Sequence, residues 1–147
     1  PSALQVEHRV IHEALLRATK APGDIGTAAR ELAGALHDHF VREEEIALPP
    51  LGLLAALARG EFTPEMRAVL PMTEALRAEL PRMLDEHQAI HAATRRLGEV
   101  ARKAGNAEVQ QLAEALALHA QSEEEVFYPA ALLVGEVVES RSQAHGS

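Results

Sequence analysis

The sequence predicts an all-α fold, an antiparallel four-helix bundle with a short helical insertion between the second and third main helices. Three observations lead there. Hydrophobic residues make up 47% of the 147-residue chain, and Ala, Leu and Glu are prominent among its residues; these side chains lose least on entering a helix. Aromatic residues are scarce, with three Phe, one Tyr and no Trp, which disfavours a sheet protein. Apolar residues recur at helical spacing over four long stretches separated by Gly and Pro.

The first main helix is expected over residues 2–20, where Leu4, His8, Ile11, His12 and Leu15 recur with helical period. Ala21-Pro22-Gly23-Asp24 breaks it. The second is expected over residues 26–48, stopped by Pro49-Pro50. A short helical piece over residues 51–59 is closed by Gly60, and Thr63 followed by Pro64 reads as an N-cap with proline at the first helical position. Pro71 and Pro81 each mark a kink or a boundary, so the third main helix is expected over residues 81–103, ended by Gly105. The fourth begins near Asn106 as N-cap and runs to residue 139 with a bend at Pro129. Residues 1–139 then form one bundle domain, and the polar residues 140–147 read as a disordered tail.

Bulk properties exclude several functions. A net charge of −8 argues against nucleic acid or an anionic membrane as partner, since both need a positive surface. Without cysteine there is no disulfide, thiolate metal site or catalytic thiol. No signal peptide opens the chain and no apolar run approaches the roughly 18–20 residues that span a bilayer, so a soluble cytoplasmic protein is the expectation. No Gly-rich phosphate loop, Ser-His-Asp set or basic stripe is present. Nothing in the pattern sets an oligomeric state.

The chemistry lies in the histidines. The first and third helices both read Glu-His-x-x-Ile-His, at residues 7–12 and 86–91. The second and fourth carry His39-x-x-x-Glu43 and His119-x-x-x-Glu123, each glutamate opening a run of three. His8 and His87 are 79 residues apart and His39 and His119 are 80 apart, so the second half repeats the first. Residues i and i+4 point within roughly 40° of one another. His8 with His12, His39 with Glu43, His87 with His91, and His119 with Glu123 therefore each share a face. Converging in a core, six imidazoles and two carboxylates would be untenable without cations, because buried charges and unsatisfied polar groups cost several kcal/mol. Nitrogen and oxygen donors without sulfur suit iron, manganese or zinc. Two carboxylates in a symmetric site suit two bridged metals.

By the same geometry Glu44, Glu45, Glu124 and Glu125 turn away by more than about 100° and are read as solvent-facing, as are Glu7 and Glu86. His37 points elsewhere and His145 falls in the tail. Phe127, four residues after Glu123, is expected beside the site or as plain core, and Tyr128, which could donate a hydrogen bond near the metals, is read first as packing at a helix end.

The order His8, His39…Glu43, His87, His119…Glu123 resembles the hemerythrin-like HHE cation-binding family over about residues 4–135, and the segment Glu-Glu-Glu-Val-Phe-Tyr-Pro at 123–129 is typical of that family's last helix. The resemblance implies two iron ions with a bridging oxo or hydroxo group, Glu43 and Glu123 as bridging carboxylates and the histidines as terminal ligands. His91 has a precedent in the paired histidines of the hemerythrins' third helix, whereas His12 rests on the internal repeat alone. Hemerythrins place an Asp five residues after the last histidine; Glu123 at four favours the bacterial branch and weakens transfer of an oxygen-carrier role. If His12 and His91 both bound, octahedral iron would be saturated; if one stays off, a position opens. The expected function is binding, reduction or sensing of dioxygen, peroxide or nitric oxide. The rival is a metal-dependent regulatory or interaction module whose metal site controls folding and is read by a partner.

Overall fold

A computed structural model describes residues 2–145. It is helical throughout, and the described residues contain no strand. The helices are α1 (Ser2–Thr19), α2 (Gly23–Ile46), α3 (Leu48–Leu51), α4 (Leu54–Ala58), α5 (Leu70–Lys103), α6 (Ala107–Ser122) and α7 (Tyr128–His145). A 3-10 segment, Pro64–Val69, precedes α5, and a π-helical segment, Glu123–Phe127, joins α6 to α7. Short turns after α1 and after α5 make each pair antiparallel neighbours. The ring closes through contacts of α2 with α5 and of α1 with α6. These helices pack as an all-α bundle, with α6, the π segment and α7 serving as the fourth rod.

The turn between α5 and α6 shows how local sequence sets this path. Gly105 takes φ +69°, a left-handed conformation with no steric cost for glycine. Gly105 N–H then donates to Arg102 O at 3.1 Å and Asn106 N–H to Ala101 O at 2.9 Å, the Schellman closure of a helix. Asn106 next caps α6, its side chain accepting from Val109 N–H at 3.1 Å.

Several boundaries differ from those expected. The second main helix begins at Gly23 rather than residue 26 and ends at Ile46; Pro49 and Pro50 lie inside the short α3, where a first turn needs no N–H donor from them. The third main helix starts at Leu70, eleven residues upstream of Pro81. Pro81 sits on its exposed face, where water can serve the Arg77 carbonyl deprived of its donor. Thr63 holds the N-cap position but makes no side-chain cap bond, and Pro64 opens a 3-10 rather than an α-helix. The chain stays helical from 140 to 145, where a disordered tail is expected. No Gly or Pro interrupts that stretch, and Arg67 Nε donates to Ser142 Oγ at 3.2 Å.

Burial divides the core into layers. Ile11, Leu15, Leu32, Leu36, Ile90, Leu97 and Leu116 belong to one apolar cluster. Ile46, Leu48, Leu51, Leu76, Met83 and Tyr128 belong to a second. Along α2, α5 and the fourth rod the chain passes from one cluster to the other, and between them, at one level, lie His39 and Glu43, His87, and His119 and Glu123; His8 on α1 joins them. The insertion packs elsewhere, Leu53, Leu57, Phe62 and Met66 lying against Val69, Val134 and Val138. No helix is long and apolar enough to cross a membrane among the described residues.

Candidate metal centre

The buried polar layer comprises His8, His39, Glu43, His87, His119 and Glu123, none more than 5% exposed. Their donor atoms fall into two groups that share both carboxylates. His8 and His119 form one with Glu43 and Glu123, and His39 and His87 form the other with the same pair. His39 Nε2 lies 2.8 Å from Glu43 Oε1, and His87 Nε2 lies 3.4 Å from Glu123 Oε1. On the other side His119 Nε2 is 3.3 Å from Glu123 Oε2, with His8 Nε2 3.6 Å from the same oxygen and 3.9 Å from Glu43 Oε2.

A ring of outer carboxylates holds the imidazoles. Glu86 meets His39 Nδ1 at 3.1 Å, Glu124 meets His87 Nδ1 at 2.8 Å, and Glu7 meets His119 Nδ1 at 2.8 Å. Glu44 stands 3.9 Å from His8 Nδ1. An ionised carboxylate only accepts, so in each of the first three pairs the Nδ1 carries the proton and donates it. The Nε2 lone pairs are then directed inward.

The reading of Glu7, Glu86, Glu44 and Glu124 as solvent-facing is therefore incomplete: each reaches across to an imidazole of a neighbouring helix. The internal repeat was the available signal. Glu7 serves His119 as Glu86 serves His39, and Glu44 approaches His8 as Glu124 approaches His87, so the halves carry the same wiring. Glu125 is exposed and takes a bond from Gln121, and Glu45 is exposed beside Arg42.

Tyr128 is a second correction. Its side chain is 1% exposed, and its hydroxyl lies 3.1 Å from His39 Nε2 and 3.1 Å from His87 Nε2. The π segment is the reason. Tyr128 N–H bonds Glu123 O, an i→i−5 bond in place of the α-helical i→i−4. Residue 128 therefore stacks over 123, whereas an unbroken α-helix would turn it roughly 140° away. Phe127 packs instead, partly buried, against the second apolar cluster.

The remaining sequence candidates lie further out. His91 Nε2 contacts Glu124 at 3.2 Å and groups with His87 and Glu124 rather than with Glu43 or Glu123. His12 is partly buried and joins no donor group among the described residues. It lines a groove of about 570 Å³ together with His37, Arg9 and Glu44, on which His8 and Phe40 also open. Phe40 stacks on His8, ring centroids 4.6 Å apart at 24°. His37 is exposed, and the side chain of His145 lies outside the described residues.

The protein alone does not satisfy this layer. His39 Nε2 and His87 Nε2 approach to 2.8 Å, a distance two protonated rings could not share. Burial, the largest influence, pulls the His39 pKa down, but the neighbouring carboxylates of Glu43 and Glu86 outweigh it and leave it raised. At His87 burial prevails over Glu124, helped by the neighbouring His39, and the pKa is lowered. Both nitrogens of His8, both oxygens of Glu43, His119 Nε2 and Glu123 Oε2 are buried without a hydrogen-bond partner. Buried groups of this kind are ordinarily paired or bound to metal. The orphaned atoms converge and belong to N/O ligand types. The cluster thus fits cations.

The family profile described as Hemerythrin HHE cation binding domain matches residues 2–131. No curated protein and no solved structure gives a significant match.

Proposed function

Because the chain belongs to the hemerythrin HHE cation-binding family, we propose that its buried cluster holds two iron ions and binds, reduces or senses dioxygen, peroxide or nitric oxide. The observation that carries this reading is the pair of donor groups sharing Glu43 and Glu123, in which His8 Nε2, His119 Nε2, both Glu43 oxygens and Glu123 Oε2 are left without a hydrogen-bond partner by the protein itself. Iron held there would supply electrons and coordination positions for a small diatomic or peroxide ligand.

The chain's own contributions follow from the geometry. Glu7, Glu86 and Glu124 hold His119, His39 and His87 in one tautomer and orientation, which also raises their basicity toward a cation. Glu43 and Glu123, fully buried between the two imidazole pairs, offset the cations' charge. The apolar layers above and below lower the local dielectric and exclude bulk water. The groove beside His8 and Phe40 offers a small ligand a route from solvent to the His8/His119 side. His12 stands along that route, suited to positioning a ligand or a proton rather than to binding iron.

Anaerobic titration of the iron-loaded, reduced protein with dioxygen and, separately, with nitric oxide tests the reading. A new visible band that saturates with ligand at one equivalent per iron pair is expected. Simple bleaching to the oxidised spectrum with dioxygen, together with no spectral response to nitric oxide, would contradict it.

A further inference from the structure

The second donor group contains one polar atom that neither the carboxylates nor the histidines account for. Tyr128 Oη, His39 Nε2 and His87 Nε2 form a triangle with sides of 3.1, 3.1 and 2.8 Å. With their Nδ1 protons directed to Glu86 and Glu124, the neutral rings turn both Nε2 lone pairs into this triangle. The phenol can donate its single proton to only one of them. Three buried lone-pair atoms around one proton are under-satisfied, and the hydrogen-bond geometry leaves the two nitrogens facing each other.

The spacing has another explanation. Donors that occupy adjacent positions around a six-coordinate ion with bonds of about 2.1 Å are separated by about 3.0 Å, the octahedral edge for bonds of that length. The three sides of the triangle, and the 2.8 Å from His39 Nε2 to Glu43 Oε1, lie close to that edge; His87 Nε2 to Glu123 Oε1 is longer at 3.4 Å. Tyr128 Oη thus stands against both nitrogens of a donor group completed by Glu43 and Glu123. The His8/His119 group has four donors and wider spacings, 3.3 to 3.9 Å. In the internal repeat the position equivalent to Tyr128 is Leu48, which offers no donor, so the two halves of the centre differ at this residue.

We propose that Tyr128 is a direct metal ligand, binding through its phenolate oxygen to the ferric ion held by His39 and His87, so that the dinuclear centre is chemically asymmetric. This rests on the di-iron reading above. On binding, the O–H bond of Tyr128 breaks, its proton passes to solvent, and the oxygen lone pair forms the bond to iron; no electron is exchanged. The four-donor ion at His8 and His119, beside the groove, is then the one left for exogenous ligands. The phenolate lowers the potential of its own iron relative to the other.

The test is resonance Raman and visible spectroscopy of the ferric-loaded full-length protein, with iron counted per chain. Two irons, a phenolate-to-iron charge-transfer band, and tyrosinate ring modes enhanced on exciting it are expected. In Tyr128→Phe the band and the ring modes should vanish while helical circular dichroism and the iron count persist. Two irons with no tyrosinate modes in the wild-type protein would overturn the ligand assignment and leave the di-iron reading standing. Fewer than two irons in the wild-type protein would overturn both. Tyrosinate modes that survive in Tyr128→Phe would overturn it too, since this is the chain's one tyrosine and the signal would then be foreign.

Discussion

At the scale of single residues, the centre depends as much on the carboxylates outside the imidazoles as on the donors within. Helical angle alone identified Glu43 and Glu123, because i,i+4 places them on the histidine faces. The same angle assigned Glu7, Glu86 and Glu124 to solvent. An angle about one helix says nothing of what the next helix presents there, and a residue turned by about 100° lies at the seam between two helices. Those carboxylates are partly exposed, yet one oxygen of each reaches inward. Replacing such a partner ordinarily weakens metal binding about 10- to 100-fold. Glu124→Gln is therefore expected to lower iron affinity within that range in chelator competition, while Glu125→Gln, one residue on, exposed and bonded to Gln121, should leave it unchanged. Equal losses in both would show that net charge, not the His87 contact, governs affinity.

A different kind of carboxylate tests electrostatics away from the centre. Arg42 Nε donates to Glu79 at 2.9 Å, Arg42 Nη2 also binds it, and Arg82 joins at 2.7 Å. The hydrogen bonds from Arg42 hold the Glu79 pKa below its ordinary value despite partial burial. A depressed folded pKa means the unfolded chain binds more protons in that window. The pair's stabilisation is thus present above the ordinary carboxylate pKa and is lost as pH falls through the folded one. Glu79→Gln should cost a few tenths to about 1 kcal/mol at pH 7 in urea denaturation, and the difference from wild type should close in acid. A gap that is constant with pH would assign the loss to packing.

At the scale of elements, the four main helices were legible from apolar period and from Gly and Pro punctuation, and the Asn106 cap and Gly105 stop stand where expected. Two features were not. Pro81 reads locally as a boundary, but the buried Leu76 and Met83 that flank it keep α5 on the core, and packing outweighs the one lost hydrogen bond. The π segment has no separate mark in hydrophobic period, since it inserts a single residue into an otherwise regular face; Pro129, which cannot donate to Glu125 O, was the nearest signal. Close packing between α5 and α7 was equally hidden. A Cβ on Gly135 would meet Thr73 Oγ1 at 2.4 Å and Thr73 Cβ at 2.7 Å, whereas one on Gly34 would meet nothing within 4 Å. Gly-to-Ala in a helix interior is worth up to about 1 kcal/mol, and overpacking costs about 1–3 kcal/mol. Gly34→Ala should stabilise the protein by up to about 1 kcal/mol and Gly135→Ala should destabilise it by about 1–2 kcal/mol, both read by chemical denaturation. Stabilisation by both would mean that α5 and α7 separate freely at Thr73.

At the scale of the whole molecule, the repeat of about 80 residues is the organising fact. It was visible as sequence, and it reappears as wiring: each half sends a glutamate from the helix carrying its Glu-His motif to a histidine on another main helix. Chain folding brings four histidines and two glutamates, not six histidines, into one buried layer. His12 and His91 sit one turn farther along and are only partly buried, at a level where Ile11 and Ile90 fill the core; the roughly 40° left over by the i,i+4 rule turns them off the core face. A buried layer that leaves nitrogen and carboxylate atoms without protein partners fits bound cations. Anything that binds only the folded form adds to its stability, so metal uptake and folding are coupled. The most direct measurement of this account is elemental analysis of the protein purified without added metal. Two irons per chain are predicted, and a folded chain that carries none, and takes up none when iron is supplied, would contradict it.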